Sequence, residues 1–157
     1  MRLLVMLVMC FVAPAIGVAG NLASDFDVAL ARWNSAAIQN YTFTYEDNGG
    51  GLITPICGGA QFKLTVRKGV GGTPVVIRGT KRCPVGTRVR AADLDIPVTI
   101  DEAFNAIKRY IRDPPTPVRV TVTYESQYGY PLTYSAEKLE ISDSDEGFVI
   151  AHFSVLR

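Results

Sequence analysis

Residues 41–46 read YTFTYE: Tyr41, Phe43 and Tyr45 alternate with Thr42, Thr44 and Glu46. An extended chain turns successive side chains to opposite faces, so this stretch is a strand with one apolar face and one wet face. Residues 118–125 repeat the pattern, with Val118, Val120, Val122 and Tyr124 alternating with Arg119, Thr121, Thr123 and Glu125. An amphipathic helix precedes each strand. The first is expected over residues 25–38, with Ser24 as N-cap and Phe26, Leu30, Trp33 and Ala37 on one face. The second opens on the capping box Thr99/Glu102, carries Ile100, Phe104, Ile107 and Ile111 on one face, and must end before Pro114-Pro115.

The remaining segments follow from these anchors. Phe62, Leu64 and Val66 alternate with Lys63, Thr65 and Arg67 in a second strand, and Lys68-Gly69 turns the chain into a third near residues 73–79. Two more strands, near 132–142 and 147–156, form a hairpin around Ser142 to Gly147. The order is helix, three strands, helix, three strands. This predicts an α+β fold with an antiparallel sheet of about six strands and the helices packed on one face. The likeness of YTFTYE to VTVTYE fits a duplicated αβββ unit. The face away from the helices is expected to show Thr42, Thr44, Glu46, Lys63, Thr65, Arg67, Thr121 and Thr123 to water.

The first twenty residues have a different composition. Arg2 is followed by an apolar run from Leu3 to Ile16 and by the small residues Gly17 to Gly20, the order of a secretory signal peptide. The expected division is a signal peptide over 1–20, cleaved after Ala19 or Gly20, and a single domain over 21–157. Cys10 is read as signal-peptide filler, because its bulky neighbours and short upstream run do not suit a lipid anchor. Cleavage removes Arg2 and leaves fifteen basic against fifteen acidic side chains. A neutral chain with no membrane span argues against bulk attraction to nucleic acid or membranes. In an oxidising compartment Cys57 and Cys83 most simply pair, a bridge worth about 3 to 4 kcal/mol in the chain-entropy model. The alternative is two buried thiols.

The search for chemistry is mostly negative. His152 is the single histidine, set in GFVIAHFSV opposite the apolar row Val149, Ala151, Phe153 and Val155, and reads as a surface residue on the polar sheet face. SDSDEG at 142–147 lacks the distal glutamate of a calcium loop, so no metal is expected there. The glycine-rich loops lack the context of a phosphate-binding loop, and no cofactor is expected. Residues 48–92, by contrast, hold eight basic side chains and no Asp or Glu. Lys63, Arg67, Arg78 and Arg82 are the partner-binding candidates within that run.

Trp33, YTFTYE, the loop cysteine at 57, FKLTVRKG, TIDEAFNAI and VTYESQYGYPLTYSAE together resemble a family of small bacterial exported and lipid-anchored domains of unknown function. The similarity spans about Trp33 to Phe153. Tyr128, Gly129, Tyr130 and Pro131 match its YGYP corner, while Trp33, Tyr41, Phe43, Cys57, Asp101, Phe104 and Tyr124 match the looser pattern. The resemblance implies no established activity and carries no catalytic residue. A single cysteine stands where tighter members have Cys-x-Cys, and no lipidation cysteine stands out, so release into periplasm or medium is expected. The corner is expected to be structural: glycine permits the turn, proline blocks its continuation, and the tyrosines cover the core edge.

The expectation from sequence is a non-enzymatic binding or inhibitor-like module that meets another envelope or secreted protein through its exposed sheet face. The alternatives are a carboxylate-dependent hydrolase using Asp101 or the cluster Asp143 to Glu146, and a structural protein of the cell envelope.

Overall fold

The computed structural model describes residues 21–48, 57–114, 117–139 and 145–157. The expected signal peptide, most of the glycine-rich loop after the first strand, and Asp143 lie outside the described residues.

The chain runs α1 (Leu22–Ala36), β1 (Tyr41–Asp47), β2 (Gln61–Arg67), β3 (Val70–Gly71), β4 (Val75–Arg78), a single 3-10 turn (Ala91–Asp93), α2 (Ile100–Arg112), β5 (Val118–Tyr124), β6 (Pro131–Lys138) and β7 (Glu146–Val155). The strands form one antiparallel sheet in the order β3-β2-β1-β7-β6-β5, with β4 also paired to β2. This is the expected α+β fold. Each helix precedes a three-stranded meander, and the meanders lie side by side in the same order across the sheet, so β1 and β5 occupy matching places in the two units.

Three local expectations need correction. The first helix begins at Leu22, not at residue 25: Asn21 is the N-cap, its side chain accepting from the Ala23 N–H at 3.2 Å, and Ser24 lies inside the first turn. It also ends earlier, because Ala37 turns left-handed (φ 49°). The expected third strand is two short strands on the same edge of β2, interrupted at Gly72 to Pro74, where proline brings no N–H to a ladder. The apolar row expected of the last strand changes sides partway. Phe148 and Ile150 face the core, Val149 and Ala151 face outward, and a β-bulge with His152 at φ 50° returns Phe153 to the core side. His152 itself is exposed.

The core is aromatic. Tyr41, Phe43 and Tyr45 of β1 are buried under the helices with Phe62, Leu64 and Val66 of β2. α1 inserts Phe26, Ala29 and Trp33, and α2 inserts Ile100, Ala103, Phe104, Ile107 and Tyr110. Phe26 meets Phe104 edge to face at 5.7 Å, which locks the two helices over the sheet. The Thr99 hydroxyl caps α2 by accepting from the Glu102 N–H at 3.1 Å, while the Glu102 carboxylate reaches back to the Val98 N–H at 2.7 Å. Cys57 and Cys83 are joined in a disulfide that ties the start of β2 to the long segment after β4. That segment adds Val89, Leu94 and Ile96 to the core.

Candidate functional site: the open sheet face and the cleft beneath helix α2

Strand register places Thr42, Thr44 and Glu46 of β1 beside Thr65, Lys63 and Gln61 of β2, on the face opposite the helices. The Gln61 amide donates to the Glu46 carboxylate, which holds both side chains on that face. Across the other half, Thr123 and Thr133 share a hydroxyl hydrogen bond at 2.6 Å, and Arg119 pairs with Glu137 at 3.0 Å. No described helix packs here. Most of the surface is short and hydroxylated, and Thr44, expected to meet water, is only 8 % exposed.

The basic candidates converge in part. Lys63 and Arg67 stand two and six residues from Gln61 on the outer face of β2, and Arg78 of β4 lies in register with Gln61. Val70, paired with Arg67 and 70 % exposed, adds an apolar side chain to the same edge. Arg82 is exposed in the bend beside Cys83, outside the strands. None of the four basic residues is in an ion pair with another described residue.

The acidic candidates do not form one site. Asp101, in the first turn of α2, accepts from the Trp33 indole N–H at 3.0 Å. Glu146, at the start of β7, accepts from the Tyr110 hydroxyl and from Lys138 at 3.0 Å, with Arg109 at 3.5 Å. Burial alone would raise the Glu146 carboxyl, but the Tyr110 and Lys138 hydrogen bonds and the Arg109 charge hold it below its ordinary value. Among the described residues no group of three His, Cys, Asp or Glu is placed to hold a metal.

Glu146 borders a cleft of about 640 Å³ that the sequence did not reveal. Its wall combines Tyr45, Tyr134 and Phe148 from three strands with Glu102, Asn105 and Arg109 of α2 and with Asp95 to Pro97. The rings form a continuous aromatic surface, with Phe148 5.6 Å from Tyr45 and 5.1 Å from Tyr134. Tyr134 is 3 % exposed, and its hydroxyl has no hydrogen-bond partner among the described residues. Burial, followed by the nearby Glu146 charge, pushes that hydroxyl's pKa up and keeps it protonated.

The YGYP corner is built against α1. Gly129 has φ 83°, and a Cβ there would run into the Ala29 carbonyl oxygen. Arg32 donates to the Ser126 carbonyl at 2.9 Å. Tyr130 stacks on Phe153 at 4.5 Å, with Tyr128 5.9 Å from the same ring. Glu125 accepts from the Gln127 and Tyr128 N–H groups at 2.8 and 2.6 Å. Burial opposes its ionisation, but these N–H groups outweigh it and lower its pKa.

A protein-family model described as a family of unknown function, DUF6174, matches residues 25–155. No curated protein and no solved structure matches the chain.

Proposed function

The chain belongs to DUF6174, a family of unknown function, and we propose that it is an exported, non-enzymatic binding module that grips an acidic protein partner with the open face of its sheet. One observation carries this reading. Lys63, Arg67 and Arg78 share that face without a carboxylate partner among the described residues, beside the exposed Val70. Unneutralised cations around an apolar side chain favour an acidic surface with an apolar centre, the charges steering encounter and the buried contact slowing release. Export is supported by the signal-peptide pattern of residues 1–20 and by the Cys57–Cys83 bridge, which suits an oxidising compartment. Among the described residues no helix is long and apolar enough to cross a membrane.

The hydrolase reading finds less support, because Asp101 and Glu146 are each committed to internal donors and Glu146 is held ionised. A general acid needs the opposite shift. The test is capture from the envelope and medium of the native host. A partner retained by the wild type should be lost when Lys63, Arg67, Arg78 and Arg82 are all replaced by Glu, and released by about 0.5 M salt. Equal retention by the charge-reversed protein would refute the basic-face reading.

A further inference from the structure

We propose that β5 is a docking edge for a second copy of this chain, the two β5 strands pairing antiparallel about a two-fold axis at Thr121 so that two sheets join into one. β5 ends the strand order, and among the described residues no strand pairs with its outer side. The other end of the sheet is guarded. There β3 is only two residues long, and the outer side of β4 is taken by the Val75–Arg88 bridge and by the Val76 N–H, which donates to the Thr87 carbonyl at 2.9 Å. Open edges are commonly protected by Lys, Pro or a bulge, and the run from Val118 to Thr123 contains none of these.

Register fixes what this edge offers. The Leu139 N–H donates to the Pro117 carbonyl at 3.1 Å, and the pairing runs on without a shift from Val118 opposite Lys138 to Thr123 opposite Thr133. Hydrogen bonding alternates along an antiparallel pair, so Arg119, Thr121 and Thr123 bond to β6, whereas Val118, Val120 and Val122 turn their N–H and C=O groups outward. Each of these valines brings one donor and one acceptor to a further strand. Their side chains are half-buried at the margin of the core, and Val120 and Val122 stand beside Ala136 and Tyr134 of β6.

The side chains select a copy of the same strand. With Thr121 on the axis, Val120 faces the second copy's Val122 and Val118 faces its Tyr124 on the helix side, the β-branched and aromatic pairs that stabilise sheets. On the other side Thr121 meets its own counterpart at a non-hydrogen-bonded position, where facing side chains approach most closely, and Arg119 faces Thr123. Arg119 is paired with Glu137 at 3.0 Å within its own sheet, and no like charges stand opposite each other across the axis. A register that set Arg119 against Arg119 would be disfavoured. The fifteen basic and fifteen acidic side chains left after cleavage give no net charge to oppose self-association. An isologous contact consumes the β5 edge of both copies, so assembly stops at two.

The experiment is sedimentation equilibrium of the disulfide-bonded protein over about 1–200 μM, which should show a monomer–dimer equilibrium with a Kd of about 100 μM or tighter. Thr121 is exposed, so Thr121→Lys and Thr121→Glu should each keep the fold, read as an unchanged melting temperature of the dilute protein. Each should weaken the dimer about tenfold by setting like charges opposite each other across the axis. An equimolar mixture of the two variants should dimerise again, Lys against Glu. Reversal of Lys63, Arg67 and Arg78 to Glu, on strands at the other end of the sheet, should leave the dimer unchanged, which separates this proposal from the partner face. A monomer at every concentration, species larger than a dimer, a dimer indifferent to both Thr121 substitutions, or a mixture no more dimeric than its components would each overturn the proposal.

Discussion

The indole N–H of Trp33, on α1, donates to the carboxylate of Asp101, on α2, at 3.0 Å. This bond joins the helices of the two αβββ units directly. Trp33 is 4 % exposed and lies edge-on to Tyr41 at 5.4 Å. The Tyr41 hydroxyl in turn accepts from the Ile100 N–H at 3.0 Å, so the first strand, both helices and the α2 cap form one connected group. Asp101→Ala leaves the indole N–H unpaired and should destabilise the protein by about 1–3 kcal/mol in urea unfolding. Trp33→Phe with Asp101→Ala should then cost less than the sum of the single changes.

Gly129 joins the same helix to the corner between β5 and β6. Its positive φ disfavours any side chain, and a Cβ would also strike the Ala29 carbonyl. Gly129→Ala should therefore lower stability by about 3 kcal/mol. The replacement at Gly59, whose surroundings are open although its φ is 76°, should cost about 1 kcal/mol. Paired melting curves separate the clash from the backbone term.

The disulfide closes a separation of 26 residues. Replacing Cys57 and Cys83 together by Ala should reduce stability by about 3.5 kcal/mol on the chain-entropy account. Intact mass of the protein from its own host should begin near Gly20 or Asn21, and reduction should add the mass of two hydrogens. A full-length mass would contradict export with cleavage.

Glu146 supplies a pH dependence with a definite sign. Its folded pKa lies below the ordinary 4.5, so its contribution is complete above 4.5 and is lost as pH falls through the folded value. Lys138, raised above 10.5 chiefly by its hydrogen bond to Glu146, contributes fully below 10.5 and loses that contribution as pH rises through its folded value. Glu146→Gln should cost about 2 kcal/mol at neutral pH. It should also flatten the fall in stability below pH 4.5, as read by urea midpoints across the acid range.

Much of the fold was legible because its signals are local. The alternations at Tyr41 to Glu46 and Phe62 to Arg67, and the Thr99/Glu102 cap with its apolar stripe, each lie within one element and correspond to β1, β2 and α2. The bulge at His152 was not legible: it reverses facing through a backbone dihedral, and the residues around it read as an unbroken apolar alternation. The cap at Asn21 adjoins the expected cleavage site, where the sequence pattern is that of a signal peptide rather than of a helix start. The cleft could not be seen in sequence either. Tyr45, Asp95, Glu102, Tyr134 and Glu146 come from five separate segments, and the β1–β7 and β6–β7 pairings with the seating of α2 bring them together. The grouping of Lys63, Arg67 and Arg78 needed register as well as composition, because the facing of each side chain depends on strand pairing.

Site-specific photo-crosslinking in the native host tests the central claim most directly, with a crosslinking side chain placed in turn at Thr65 on the open face and at Asn105 on α2. The account predicts a discrete protein adduct from Thr65 and none from Asn105, with the Thr65 adduct lost when Lys63, Arg67 and Arg78 are reversed to Glu. An adduct from Asn105 alone, or no adduct from Thr65 in cells where the protein is abundant, would contradict the open sheet face as the partner surface.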